Sequence, residues 1–360
     1  MKTNHEIKLG VSLYSYQDHY YFKKHDLEGC IAAAAGAGAE GIEVFPDAMM
    51  PEWPYISDSF VDKWNGWMER YGVEPVCVDH FSDRAMWHDK LLSDDELYER
   101  SIWYIKTAHK LGCHAIRLLH NEHIGLGISP YKLTDAAIAE RLLPICAKYD
   151  VMMALECHAP TNVADPLHQP YLDAAKRLGL PYVGLQADFS SYEYCISSAD
   201  IILAGQEGMR ADLLNYVRDA QRDAYFNGRV FHLEDIMDKV EAMNPTAAEL
   251  ALIRRSSGAV TRNFGSLEAD GSFSAYKTLK EYAGKLVYVH GKFYDMDDSG
   301  QVDNMDYPKI MAALKEGGYK GYICSEFEGN RRMNGVGWVD EIEYVRRHHV
   351  LMRQCLGYEG

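Results

Sequence analysis

The sequence predicts a closed (β/α)8 barrel, and three observations predict it. Short apolar, β-branched or aromatic runs alternate with longer segments of helical period along the chain. The starts of these runs recur about every 30 to 40 residues, the length of one βα unit, apart from one long gap between residues 188 and 286. A chain of 360 residues also suits one such barrel with an insertion. The competing architecture is a doubly wound open sheet, but no glycine-rich phosphate fingerprint follows the first strand.

The strands are expected at 8–14 (KLGVSLY), 41–45 (GIEVF), 73–79 (VEPVCVD) and 115–120 (AIRLLH), then at 151–156 (VMMALE), 183–188 (VGLQAD), 286–291 (LVYVHG) and 321–327 (GYICSEF). Helical period places helices at 27–37, 58–71, 94–111, 134–149, 168–178, 307–316 and 338–355. The third opens on Ser93-Asp-Asp-Glu96, which reads as a capping box. Two others close on a glycine suited to a left-handed cap, in "HKLGC" and "KRLGL". The long gap, roughly 190–275, is not low in complexity. It carries helical patterns at 207–226, 232–243 and 246–256, the last opened by Asn244-Pro245. A helical insertion after strand six would stand over the C-terminal mouth of the barrel. It would serve there as a lid, as a docking surface for another chain, or as surface decoration.

An apolar share of 47% with 25% charged residues is ordinary for a soluble globular protein. The formal charge of −16 argues against a nucleic-acid surface, which needs basic patches to neutralise phosphates. Cys30, Cys77, Cys113, Cys146, Cys157, Cys195, Cys324 and Cys355 are scattered without a CxxC pair. They read as buried thiols in a reducing compartment. The start "MKTNHEIKLGVSLY" has no apolar leader core, and no run approaches the length that spans a bilayer. The expectation is a soluble cytoplasmic protein with neither membrane nor nucleic acid as partner.

Barrel chemistry sits at the C-terminal ends of the strands. Strand three ends at Asp79-His80, strand four at His120-Asn121, and strand five at Glu156-Cys157-His158. Strand six ends at Asp188, strand seven at His290 with Lys292 beyond it, and strand eight at Glu326 with Glu328 beyond it. Glu156, Asp188, His290 and Glu326 would therefore project toward one point on the axis. Three carboxylates there repel one another unless a cation compensates. With one imidazole added, the donor set suits a divalent metal, Mn²⁺ first and Mg²⁺ or Co²⁺ next. Each residue also has an ordinary alternative. Asp188 could cap the turn that follows it, His290 could be a satisfied core histidine, and Glu326 could pair with Arg331 or Arg332.

The phrases "ALECH", "LQADFS", "VYVHGK" and "CSEFEG" resemble the xylose isomerase-like superfamily of sugar-phosphate isomerases and epimerases. The resemblance covers the chain outside the insertion and implies that Glu156, Asp188, His290 and Glu326 bind the metal. The endonuclease branch of that superfamily looks for a histidine three positions after the strand-six aspartate and for an Asp-x-His pair beyond strand seven. Ser191, Gly291 and Lys292 stand here instead. Within the superfamily the chain is similar in length and quartet to the α subunit of bacterial C-glycoside deglycosidases. That likeness implies a 3-oxo-glucoside substrate and a small β-sandwich partner subunit, hence an oligomer.

The chemistry expected is proton abstraction next to a sugar carbonyl, followed by elimination of the aglycone or, in the alternative, by epimerisation or isomerisation of a ketose. Glu156 and Glu326 are candidate acid and base on opposite sides of the site. His158, two residues after Glu156 and therefore on the same face, is a candidate separate base or else a strand-end histidine bonded to a backbone carbonyl. His120, Lys292, Tyr14, His80 and Arg331 are candidate substrate ligands. Tyr16, His19, Tyr20, Phe45 and Trp53 would rim the mouth as aromatic faces for a sugar ring or aglycone.

Overall fold

The computed structural model of the chain describes residues 6–81, 90, 92–119 and 132–358. The candidate substrate ligand His120 lies outside the described residues. Eight strands form a closed, all-parallel barrel in sequence order: β1 (Ile7–Ser12), β2 (Gly41–Val44), β3 (Glu74–Phe81), β4 (Ala115–Leu119), β5 (Met152–Cys157), β6 (Val183–Asp188), β7 (Leu286–Phe293) and β8 (Gly321–Phe327). β8 pairs back onto β1, with Ile7 opposite Gly321 and Val11 opposite Ser325. Closure explains the composition of the strands. With side chains on one face and helices on the other, every residue of β6 is buried, which is why VGLQAD reads as a continuous run.

The helices α1 (Leu27–Ala37), α2 (Asp58–Tyr71), α3 (Asp94–Leu111), α4 (Lys132–Tyr149) and α5 (Gln169–Leu178) follow the first strands in turn. Their ends obey the local chemistry of the sequence. Ser93 and Glu96 form the reciprocal capping box of α3, and Gly112 closes that helix at φ 76°. Between β6 and β7 stand α6 (Ser198–Gln206), α7 (Ala211–Phe226), α8 (Met237–Ala242), α9 (Ala247–Phe264) and α10 (Ser274–Tyr282). Helix α11 (Tyr307–Glu316) leads into β8, and α12 (Glu341–Leu356) packs beside α1 and α11.

Two boundaries differ from the sequence pattern for physical reasons. The helical run expected at 207–226 is broken by Gly208 at φ 83°, a left-handed conformation that ends α6 before α7 begins. The last insertion helix was expected to stop at 256, before Ser257-Gly258, but α9 continues to Phe264. Ile253, Ser257, Val260 and Phe264 form one buried stripe, and that packing overrides the weak propensity of the Ser-Gly pair. The helices between β6 and β7 have a small core of their own around Leu213, Leu214, Val217, Val240 and Ile253. Tyr225 ties this group to the main core by stacking on Tyr194 and Phe273, with centroids 4.3 and 5.2 Å apart.

Inside the barrel, Cys77, Ala115, Ala154, Tyr288 and Cys324 form an apolar plug. The layers toward the C-terminal ends of the strands are charged instead. Among the described residues no helix is long and apolar enough to cross a membrane.

Candidate metal centre at the strand ends

Four strands deliver the quartet by simple alternation. Side chains two apart share a face, so Tyr288, His290 and Lys292 of β7 all enter the barrel, as do Gln186 and Asp188 of β6. Glu156 comes from β5 and Glu326 from β8, and all four of Glu156, Asp188, His290 and Glu326 are buried. One ligand atom from each lies within 4.8 Å of the others. His290 Nδ1 stands at the centre, 2.9 Å from Glu156 Oε1, 2.8 Å from Glu326 Oε2 and 3.9 Å from Asp188 Oδ2.

The cations around the quartet decide how each carboxyl is held. Burial alone would raise the Glu156 pKa, but Arg117 and His290 reverse that and hold it well below the usual range. Glu326 follows the same logic: burial opposes, His290 and Lys292 prevail, and its pKa is about 2. At Asp188 burial wins over Lys292 and His158, and its pKa rises to about 6. Lys292, itself buried, places Nζ 2.8 Å from Glu326 Oε2, 2.9 Å from Glu328 Oε1 and 3.6 Å from Asp188 Oδ2. Desolvation works against its charge, yet Glu326 and Glu328 push its pKa well up, so it stays an ammonium.

The ordinary alternatives resolve residue by residue. Asp188 does cap its turn, because Oδ1 accepts from Ser190 N–H at 2.7 Å. Its Oδ2 accepts no hydrogen bond among the described residues and faces the cluster. Glu326 does not pair with either arginine. Arg331 donates to Gln17, while Arg332 pairs with Asp200 at 3.0 Å and stacks 3.5 Å over Tyr294.

The half-buried His158 follows β5 directly, and its Nδ1 donates to the Ala159 carbonyl at 2.7 Å. Burial lowers its pKa, but Asp188, Glu156 and Glu328 outweigh burial and Lys292, and the net shift is upward. Ser191 Oγ steadies this loop from β6, at 2.9 Å from the Cys157 carbonyl and 2.6 Å from that of Thr161. Tyr14 leans on Phe45 with centroids 5.9 Å apart, and the Arg331 guanidinium lies 5.6 Å from its ring. Burial and Glu328 push the Tyr14 hydroxyl up to about 12, so it remains a donor at neutral pH. His80 is not brought to the quartet. Alternation turns it outward from Asp79, where Nε2 meets Ser101 at 2.9 Å and the ring stacks on Tyr104 at 4.0 Å. Two expected rim aromatics are also corrected: Tyr16 is buried in the core, and His19 pairs with Glu341 at 2.9 Å, so neither is free to face a ligand.

A family model for the xylose isomerase-like TIM barrel matches residues 31–348. The chain belongs to the xylose isomerase-like TIM-barrel family. A C-glycoside deglycosidase alpha subunit of Arthrobacter globiformis is 29% identical over 352 residues, which cover 97% of this chain and 92% of that protein. A 3'-dehydrocarminate deglycosidase alpha subunit of Microbacterium is 27% identical, covering 97% of this chain and 95% of its own length. Among solved structures, L-ribulose 3-epimerase superposes with a TM-score of 0.54 at 12% identity, covering 98% of this chain and 95% of that one, a likeness of fold.

This xylose isomerase-like barrel also carries residues around the quartet that sequence reasoning missed. Glu43 of β2 accepts from His290 Nε2 at 2.8 Å, and Arg117 of β4 donates to Glu156 Oε2 at 2.6 Å and pairs with Asp79. The signal was present in "GIEVF" and "AIRLLH", where a charged residue interrupts a strand that is otherwise apolar on both sides.

Proposed function

We propose that the chain is a divalent-metal-dependent enzyme acting on an oxo-sugar, and most specifically the alpha subunit of a C-glycoside deglycosidase that cleaves 3-oxo-C-glucosides by elimination. The observation that carries this reading is the convergence of the four strand-end residues within 4.8 Å. The finer assignment is supported by two near-full-length relatives that bear that kind of name.

The donor set fits a cation. Five buried carboxylates, those of Glu43, Asp79, Glu156, Asp188 and Glu326, face two fixed cations, Arg117 and Lys292. Carboxyl groups outnumber the cationic side chains there even with His290 counted among the cations, and buried charge of this kind is ordinarily paired or bound to metal. Asp188 Oδ2, without a hydrogen bond among the described residues, is the kind of oxygen a metal takes. Glu156, Asp188, His290 and Glu326 would hold it, Mn²⁺ fitting the oxygen-rich set best and Mg²⁺ or Co²⁺ next.

When bound, such an ion polarises the sugar carbonyl and acidifies the neighbouring C–H. His158 then takes the C2 proton. A carbonyl can only accept, so the bond to Ala159 places the ring proton on Nδ1 and leaves the Nε2 lone pair to act as base. Lys292 faces the enolate charge that develops, and Tyr14 and Arg331 offer hydrogen bonds to the sugar. The enolate would then collapse to a C1=C2 enone as the C1–C bond breaks, and the aglycone carbon, which keeps the bonding pair, would take up the proton that His158 removed. The partner would be a small second subunit, as the word "alpha" in both relatives' names suits. A reducing compartment accords with all eight cysteines being free thiols.

One observation favours a second reading, a ketose epimerase or isomerase. Glu156 and Glu326 reach the site from two separate strands, on either side of His290 Nδ1, and so supply two carboxylates for a two-base mechanism. The deciding experiment incubates the metal-loaded chain, alone and with any small β-rich protein that co-purifies, with a 3-oxo-C-glucoside or with free ketoses. Aglycone release that needs the second protein supports the deglycosidase. Epimerised ketose from the lone chain, without aglycone release, replaces it with the second reading.

A further inference from the structure

We infer that Glu43 and Arg117 are positioning residues that decide which atoms His290 and Glu156 present to a metal. The inference rests on the metal-site reading above. Neither residue is a candidate ligand, and each comes from a strand that contributes none. Glu43 is buried in β2, on the side of the His290 ring opposite the quartet. Its Oε2 lies 2.8 Å from Nε2, and the Tyr288 hydroxyl donates to the same oxygen. A carboxylate only accepts, so Nε2 carries the ring proton. Nδ1 is then the nitrogen turned toward Glu156, Asp188 and Glu326, and the one open to a cation that enters among them. The neighbouring negative charge also makes that nitrogen the stronger donor to a cation.

Arg117 does the matching work on the other flank. One arm of its guanidinium holds Glu156 Oε2 at 2.6 Å and the other pairs with Asp79 of β3. The planar fork spans the two carboxylates, as a single ammonium could not, and leaves Glu156 Oε1 for the centre. Two buried side chains of opposite sign therefore aim two neighbouring ligands from beneath. This arrangement gives a purpose to charged groups placed where an ordinary barrel layer would be branched and apolar.

The test is Mn²⁺ affinity, measured by calorimetry on metal-free protein, with the thermal midpoint of each metal-free chain as a control for folding. Glu43→Gln keeps the volume and removes the charge. It should weaken Mn²⁺ binding about 10- to 100-fold, the usual effect of losing a partner behind a metal histidine. Arg117→Lys keeps a cation that cannot reach both carboxylates, and should weaken binding by about tenfold. Tyr288→Phe, which only loosens Glu43, should give a smaller loss in the same direction and serves where the charged variants do not fold. A purely structural role would lower the thermal midpoints and leave the affinity of the folded protein unchanged. Wild-type binding with all three variants within twofold of it overturns this inference alone. Wild-type protein that binds no Mn²⁺ overturns the metal reading and this inference together.

Discussion

At the scale of single residues, His158 has the most to reveal. Its Nδ1 bond to Ala159 fixes the tautomer and leaves Nε2 as the basic atom, so bonding to the backbone and acting as a base are compatible roles. His158→Gln should lower kcat by about 10²- to 10⁴-fold, the range for a lost general base, with bound metal unchanged. Activity within tenfold of wild type would assign the base elsewhere. The quartet itself was legible because Glu156, Asp188, His290 and Glu326 each interrupt an apolar run where a strand ends. Glu43 and Arg117 were not. A charge in the middle of a strand reads equally well as a solvent-facing position, and only closure of the barrel brings Glu43 against His290, 247 residues away. His80 illustrates the opposite error. It ends a strand, but the period of two that carries Asp79 inward sends it outward to Ser101.

At the scale of elements, the strands were readable because a parallel barrel buries both faces and leaves each strand as a short apolar word. Helix ends were less so, as α9 shows: its buried stripe from Ile253 to Phe264 overrides a Ser-Gly pair that locally favours a stop. That helix starts on a capping box, with Thr246 and Glu249 bonded reciprocally and Arg210 on the Glu249 carboxylate at 3.2 Å. Hydrogen bonds from Thr246, with burial opposing and Arg210 assisting, hold Glu249 at about 2, below its ordinary 4.5. A carboxyl depressed in the folded state contributes stability that is fully present above its unfolded pKa and is lost as pH falls through the folded one. The contribution of Glu249 is therefore lost between pH 4.5 and about 2. Thr246→Ala should cost about 1 kcal/mol. Hydrogen exchange over 247–264 should then be about fivefold faster at pH 7. Unchanged exchange there would show that the cap does not hold the helix.

At the scale of the whole molecule, closure turns eight separate strand ends into one charged interior. Glu43, Asp79, Arg117, Glu156, Asp188, His290, Lys292 and Glu326 come from seven of the eight strands, and all are buried. So many buried charges would destabilise an ordinary barrel core, and they are tolerable here because each stands beside a charge of opposite sign. The helices between β6 and β7 begin at the Asp188 end of β6, next to a metal-ligand candidate. The measurement that tests the central claim most directly is elemental analysis of wild-type, Glu156→Ala and Asp188→Asn chains after equilibration with Mn²⁺ and removal of free ion. The account predicts about one ion per folded wild-type chain and a small fraction of that in either folded variant. A wild-type chain without bound ion, or variants that keep the full complement, would contradict it.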